Sequence, residues 1–148
     1  MSIRYETVDI KFPKGIKRRE ISSWIKQVVA QYQKRVGEIV CVFCSDAEIL
    51  RINNQYLGHD YYTDIITFDY SENGILSGDL FISLETVKSN SEKYETCYEE
   101  ELCRVMIHGI LHLCGFNDKT PEDEKRIREK EDDAVRLFPF TFHSSLKI

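Results

Sequence analysis

The chain carries no apolar run long enough to cross a bilayer. Its longest, Val105 to Leu113, is interrupted by two histidines and a glycine and falls far short of the ~20 residues that a spanning helix needs. The opening stretch MSIRYETVDIKF alternates charged and apolar residues where an export signal would need an apolar block, so a cytoplasmic location is expected. Positive charge is not in excess: 20 Lys and Arg against 25 Asp and Glu leave a net charge of -5. That excludes a histone-like or polybasic membrane-surface protein, and any nucleic-acid partner must be met by a local basic patch. Three Pro and seven Gly in 148 residues are too few for a low-complexity chain. Five cysteines, an odd number, without an export signal point to free thiols rather than a disulfide framework.

What is present is a globular composition. Hydrophobic residues make up 42%, with one Trp, eight Tyr and eight Phe, enough for a core without disulfide staples at this length. One domain over residues 1–148, able to stand as a monomer, is expected.

Val8, Ile10 and Phe12 alternate with polar residues and predict a first strand ending at Pro13-Lys14-Gly15. From Arg18 to Val36, the residues Ile21, Trp24, Ile25, Val28 and Tyr32 recur at three and four, predicting an amphipathic helix capped by Gly37. Ile39 to Cys44 reads as a strand buried on both faces. Ser45, with Glu48 three residues on, opens a helix from Asp46 to about Leu57. Ile65 to Tyr70 and Asp79 to Ser83 read as strands paired across a turn at Ser71 to Gly74. Helices follow at Leu84 to about Glu95, at Tyr98 to Cys114, and at Pro121 to Phe138 with Thr120 as N-cap; the tail after Pro139 is irregular. This order predicts an α+β fold, a mixed sheet of about four strands covered by helices.

The segment Val105 to Leu113 is apolar on every side except for its imidazoles, so it predicts a buried central helix. His108 and His112 lie on one face of it, about 6 Å apart along the axis, where both can reach one ion. A lone buried histidine is more often a core residue bonded to its neighbours, but two at ligand spacing favour a metal. Gly115 can end the helix in a left-handed cap and turn Phe116-Asn117-Asp118 back, so that Asp118 offers a carboxylate to the same ion. Taken alone, an Asp after a helix is more often a turn or cap residue. Two imidazoles and a carboxylate leave a fourth position on zinc, where water titrates near ~7 and serves as nucleophile or base. The zincin protease signature puts Glu directly after its first His, whereas this chain has Gly109 there, so protease chemistry lacks its base. Gly109 permits close approach of another element or of substrate, with helix packing an equal reading.

His108-Gly109-Ile110-Leu111-His112-Leu113-Cys114-Gly115-Phe116-Asn117-Asp118 resembles the H-G-x-L-H-L-x-G-x-D-H motif of the YbeY family of ribosomal-RNA maturation endoribonucleases. The resemblance extends through Ile52 to Tyr56, Thr63 to Phe68 and Gly78 to Ser83, in the family's order and spacing, and covers most of the chain. It implies an α+β fold with one zinc per chain at the motif's three ligand positions, acting in rRNA trimming and ribosome quality control. Ribosomal RNA precursors and the ribosome or its subunits are the partners implied. Two departures are evident. The motif's last histidine falls on Asp118 and its Asp on Asn117, and zinc accepts either ligand type. The family's arginine near the end of the second helix, a substrate contact, falls on Leu57.

Lys11, Lys14, Lys17, Arg18 and Arg19 cluster before and at the start of the first helix, where cations oppose the helix dipole; they are a solvated face or a set of phosphate contacts. Cys41 and Cys44, in one strand, point to opposite faces and cannot chelate together. Cys114 projects from a different side than His112. His59 and His143 fall in loop-like segments. Glu122 to Asp133, dense in both signs of charge, reads as an exposed face with Ile127, Ala134 and Phe138 as its buried stripe. The reading that joins these parts is a metal-dependent single-strand endoribonuclease. His108, His112 and Asp118 hold zinc, and Thr63 and Asp79 line the pocket. The alternatives are a zinc hydrolase of another substrate and a ribosome-assembly binding module with a structural metal.

Overall fold

Burial on both faces makes the apolar run after the first helix the centre of the sheet. In the computed structural model, which describes residues 2–58 and 63–138, that strand is β2 (Arg35–Cys44) and its last six residues are all buried. Strand β1 (Ser2–Thr7) runs parallel on one side of it and β4 (Ile75–Ser83) parallel on the other; β3 (Ile65–Asp69) pairs antiparallel with β4. The sheet order is β1-β2-β4-β3. The helices are α1 (Arg18–Ala30), α2 (Asp46–Leu57), α3 (Leu84–Lys93), α4 (Tyr98–Leu113) and α5 (Pro121–Arg136). The fold is α+β with a four-stranded mixed sheet, as the element order implied. None of the helices described is long and apolar enough to cross a membrane.

Period-two alternation decides which layer each strand residue meets. Ile39, Cys41, Phe43, Leu80 and Ile82 face the main core with Trp24 and Ile25 of α1 and Leu102, Met106 and Ile110 of α4. Cys44 and Ile66 face the other way, against Ile49 and Ile52 of α2, with Phe68 and Phe81 packed beside them. Cys41 and Cys44 therefore sit on opposite faces, as their spacing required.

Two expected boundaries are corrected. The alternation at Val8, Ile10 and Phe12 is not a strand. The strand is Ser2–Thr7, its ladder closes with Val8 N donating to Phe43 O at 2.9 Å, and Asp9 (φ 57) then turns the chain away. The Asp9 carboxylate accepts from Ser45 N at 3.1 Å and Ser45 Oγ at 2.6 Å, while Ile10 and Phe12 still pack on the core from a loop. The first helix also stops at Ala30 rather than Val36, after which Gln33 (φ 60) reverses the chain. Gly37 is no helix cap: it lies in β2 where the register shifts, and a Cβ there would come within 2.6 Å of Ser77 Oγ and 2.7 Å of Ile75 Cγ2. Close strand approach is what requires glycine at that position. The other elements agree with expectation to within a few residues, and Ser45 Oγ accepts from Glu48 N at 3.2 Å as the N-cap of α2. His59, His143 and the tail after Pro139 lie outside the described residues.

Candidate metal centre

Helix α4 is the buried central helix. Gly109 brings it against the hairpin of β3 and β4: a Cβ there would lie 2.7 Å from Ile65 Cδ1 and 3.1 Å from both Leu80 methyls. The close approach that Gly109 permits is therefore to the sheet. At the C-terminal end, Gly115 (φ 106) donates to His112 O at 3.0 Å and Phe116 N donates to Leu111 O at 3.1 Å. This closure satisfies the last carbonyls of the helix and directs the chain back toward its own face.

The result is a triangle of atoms of the kinds that can bind a metal ion. His108 Nε2 and His112 Nε2 are 3.0 Å apart, and Asp118 Oδ2 lies 3.3 Å from the first and 3.4 Å from the second. Four ligands placed tetrahedrally at zinc distances of ~2.1 Å would have edges of about 3.4 Å, so these three atoms are spaced as three corners of such a shell. The donor types fit as well. His108 Nδ1 lies 2.5 Å from Oε2 of Glu131, a carboxylate with lone pairs only; the ring proton belongs on Nδ1, and Nε2 presents its lone pair to the triangle. Asp118, His108 and His112 are partly buried, and the three side chains fit a divalent cation.

Beside the triangle, bordered by its His108 and Asp118 corners, lies an open cleft of about 760 Å³, whose lining also includes Asp64, Glu101, Arg104 and Glu131. Burial lowers the pKa of His112, and His108 beside it adds to the effect. Burial works the same way on His108, but the Glu131 carboxylate, with Asp64 and Asp118, outweighs it and lifts His108 above the ordinary value. Burial raises Asp64, opposed by His108, and lifts Glu101 to about 7, reinforced by Asp64 and partly offset by Arg104.

Of the residues singled out in the sequence, His108, His112 and Asp118 come together. Thr63 is adjacent to the cleft, with its hydroxyl 3.5 Å from the Asp64 carboxylate. Asp79 is not brought to the cleft. It pairs with Phe68 across the hairpin and so shares Phe68's face, the α2 side, where it accepts from Tyr70 Oη at 3.3 Å. Cys114 packs toward the main core, and burial pushes its thiol up to about 11. Leu57 ends α2 with 45% of its surface exposed. The basic cluster lies elsewhere: Gly15, within it, abuts Glu99 in the first turn of α4, about 14 Å along the helix from His108.

Glu131, Asp64, Glu101 and Arg104 were not singled out. The charged stretch Glu122 to Asp133 is not uniformly an exposed face, because Glu131 is only 8% exposed. The signal was present: Glu131 stands four residues after Ile127 and three before Ala134, on the buried stripe itself. Glu101 likewise stands seven residues before His108 on one face of α4.

Residues 5–138 match the sequence profile of the family described as endoribonuclease YbeY. A protein of that name from Bacteroides fragilis is 61% identical over 137 residues, covering 93% of this chain and 98% of its own length. Another, from Bacteroides thetaiotaomicron, is 55% identical over 137 residues, covering 93% of this chain and 99% of its own. The solution structure of a Thermotoga maritima protein superposes with a TM-score of 0.66 at 27% identity, covering 93% of this chain and 89% of its own. The two-histidine motif on a buried helix, its glycine cap and these nearly full-length matches agree, and the chain belongs to the endoribonuclease YbeY family.

Proposed function

We propose that the protein is a metal-dependent endoribonuclease that cleaves single-stranded segments of ribosomal RNA precursors, with His108, His112 and Asp118 holding one zinc ion. The observation that carries the reading is the triangle of ligand atoms at 3.0, 3.3 and 3.4 Å beside an open cleft. Three protein ligands next to solvent are the pattern of catalytic zinc, whereas structural zinc is closed by four. When bound, the ion supplies a Lewis acid that makes water a nucleophile near neutral pH and stabilises charge developing on a phosphodiester. The chain's own residues do the rest. Burial lowers the pKa of His112, which favours the neutral ring that a ligand needs; Asp118 adds negative charge to the site; Arg104 and Arg128 are the cations among the cleft-lining residues. Action in the cytoplasm on the ribosome or its subunits, in rRNA maturation and quality control, completes the proposal and draws on the family.

Metal analysis of the purified protein, with cleavage of an rRNA precursor followed before and after chelation, tests this. About one zinc per chain is expected, with metal lost in His108→Ala and His112→Ala and cleavage restored by adding zinc back. Undiminished cleavage by metal-free protein would overturn it.

A further inference from the structure

His108 offers one ring nitrogen to the triangle and is held by the other. Glu131, whose Oε2 is 2.5 Å from His108 Nδ1, uses its second oxygen, Oε1, to accept from Arg104 at 3.3 Å, and the same guanidinium pairs with Asp132 at 2.9 Å. Arg104 stands one turn before His108 on α4, while Glu131 and Asp132 are carried by α5. The chain of contacts Asp132, Arg104, Glu131, His108 thus runs from the surface to the ligand atoms. Two features set it apart from an ordinary surface ion pair. Glu131 is 8% exposed, and burying a carboxylate is costly unless charge and hydrogen bonds compensate, as Arg104 and His108 do here. The contact also decides chemistry: with the proton held at Nδ1, only Nε2 is bare, and that is the atom facing His112 and Asp118.

We propose that Glu131, braced by Arg104, is a positioning residue that fixes the ring orientation and tautomer of His108 and strengthens it as a metal donor. This rests on the reading of His108, His112 and Asp118 as ligands. A bridge serving only to join α4 to α5 would affect stability and leave metal affinity alone. Removing such an outer partner of a ligating histidine characteristically weakens metal binding by about 10–100-fold.

The test is zinc affinity by competition with a chromophoric chelator, alongside the melting temperature in excess chelator and the ¹⁵N signals of His108 in metal-free protein. Glu131→Ala is expected to bind zinc about 100-fold more weakly and to lose the fixed Nδ1–H tautomer, and Glu131→Gln, which keeps an acceptor oxygen but no charge, about 10-fold more weakly. A folded Glu131→Ala protein with parental affinity and an unchanged His108 tautomer overturns the proposal. Should Glu131→Ala fail to fold, Glu131→Gln decides: weaker zinc binding with an unchanged melting temperature in chelator supports positioning, and unchanged affinity refutes it. Parental zinc affinity in His108→Ala would instead refute the ligand reading, and the positioning role would fall with it.

Discussion

Trp24 Nε1 donates to the main-chain carbonyl of Ala134 across 2.7 Å, a buried hydrogen bond between residues 110 apart in sequence. The indole also meets Phe138 edge to face, with ring centroids 4.7 Å apart. These contacts fasten the last turn of α5 to α1, and Glu131 lies one turn earlier on the same helix. Trp24→Phe removes the donor and leaves a void, so it should destabilise the protein by about 2–3 kcal/mol in urea unfolding. A change under about 0.5 kcal/mol would show that α5 is held by other contacts.

Glycine tolerance should differ sharply between a position in the hairpin and one packed against it. A Cβ on Gly78 would lie 2.4 Å from the main-chain oxygen of Phe68, whereas one on Gly109 meets only side-chain ends at 2.7 and 3.1 Å. Backbone in a paired strand cannot give way, but methyl groups can, and alanine in a helix regains about 1 kcal/mol of propensity. Thermal denaturation should therefore place Gly78→Ala well below Gly109→Ala; the opposite ranking would contradict the packing described.

Stability near neutral pH should carry a signature of Glu101. Burial, with Asp64 and Glu131 adding to it, lifts its carboxyl to about 7 from an ordinary 4.5. Folding therefore favours the protonated form, and that contribution is complete below the unfolded value and lost as pH rises through the folded one. Between pH 4.5 and 7, Glu101 makes the fold less stable as pH increases. Glu101→Gln stays neutral, so its melting temperature should exceed the parent's at pH 8 by several degrees and approach it at pH 5. A difference independent of pH would show that Glu101 titrates normally.

Asp118 is the one carboxylate among the three residues proposed to hold the metal. Asp118→Ala should bind zinc less tightly than the parent, Asp118→Asn less severely so, and Asp118→His should retain the ion. A neutral imidazole leaves more positive charge on the metal than a carboxylate does, so the pH–rate profile of Asp118→His should move to lower pH. Unaltered zinc affinity in Asp118→Ala would make Asp118 a turn residue.

The basic cluster is separated from the histidines, so its replacement should change RNA affinity and leave the metal site as it is. Replacing Lys14, Lys17, Arg18 and Arg19 with Gln should weaken RNA binding and flatten its salt dependence by about 0.7 per lost phosphate contact in single strands, with zinc content unchanged. Arg18, stacked 4.1 Å from the Phe12 ring centre, also contributes packing, so the melting temperature should fall slightly. Binding indifferent to salt would mark the cluster as solvated surface.

Much of this protein was legible because it is local. Ser45 and Glu48 announce α2, Thr120 and Pro121 announce α5, and four-residue spacing on one helix places His108 beside His112 whatever surrounds them. Gly115, standing directly after the apolar helical run, likewise announces a turn from the local sequence, which let Asp118 be named with the histidines. The stripe of apolar residues in α1 located that helix but not its end, because Tyr32 and Val36 continue the four-residue spacing from Val28 although Gln33 (φ 60) has already reversed the chain and Val36 belongs to β2.

What only the tertiary structure decided depends on elements distant in sequence. The side of the sheet on which Asp79 falls follows from its pairing with Phe68, since a register shift of one residue would turn it to the other face. Gly37 is required by the approach of Ile75 and Ser77, and Glu131 meets His108 only because α5 is docked across α4. By itself the sequence determined the helix that carries His108 and His112 and the donor atoms they offer, because helical periodicity sets neighbours three and four residues apart. The groups around those two histidines, Glu131, Arg104, Asp64 and Glu101, were placed by packing and strand register, which no local pattern encodes.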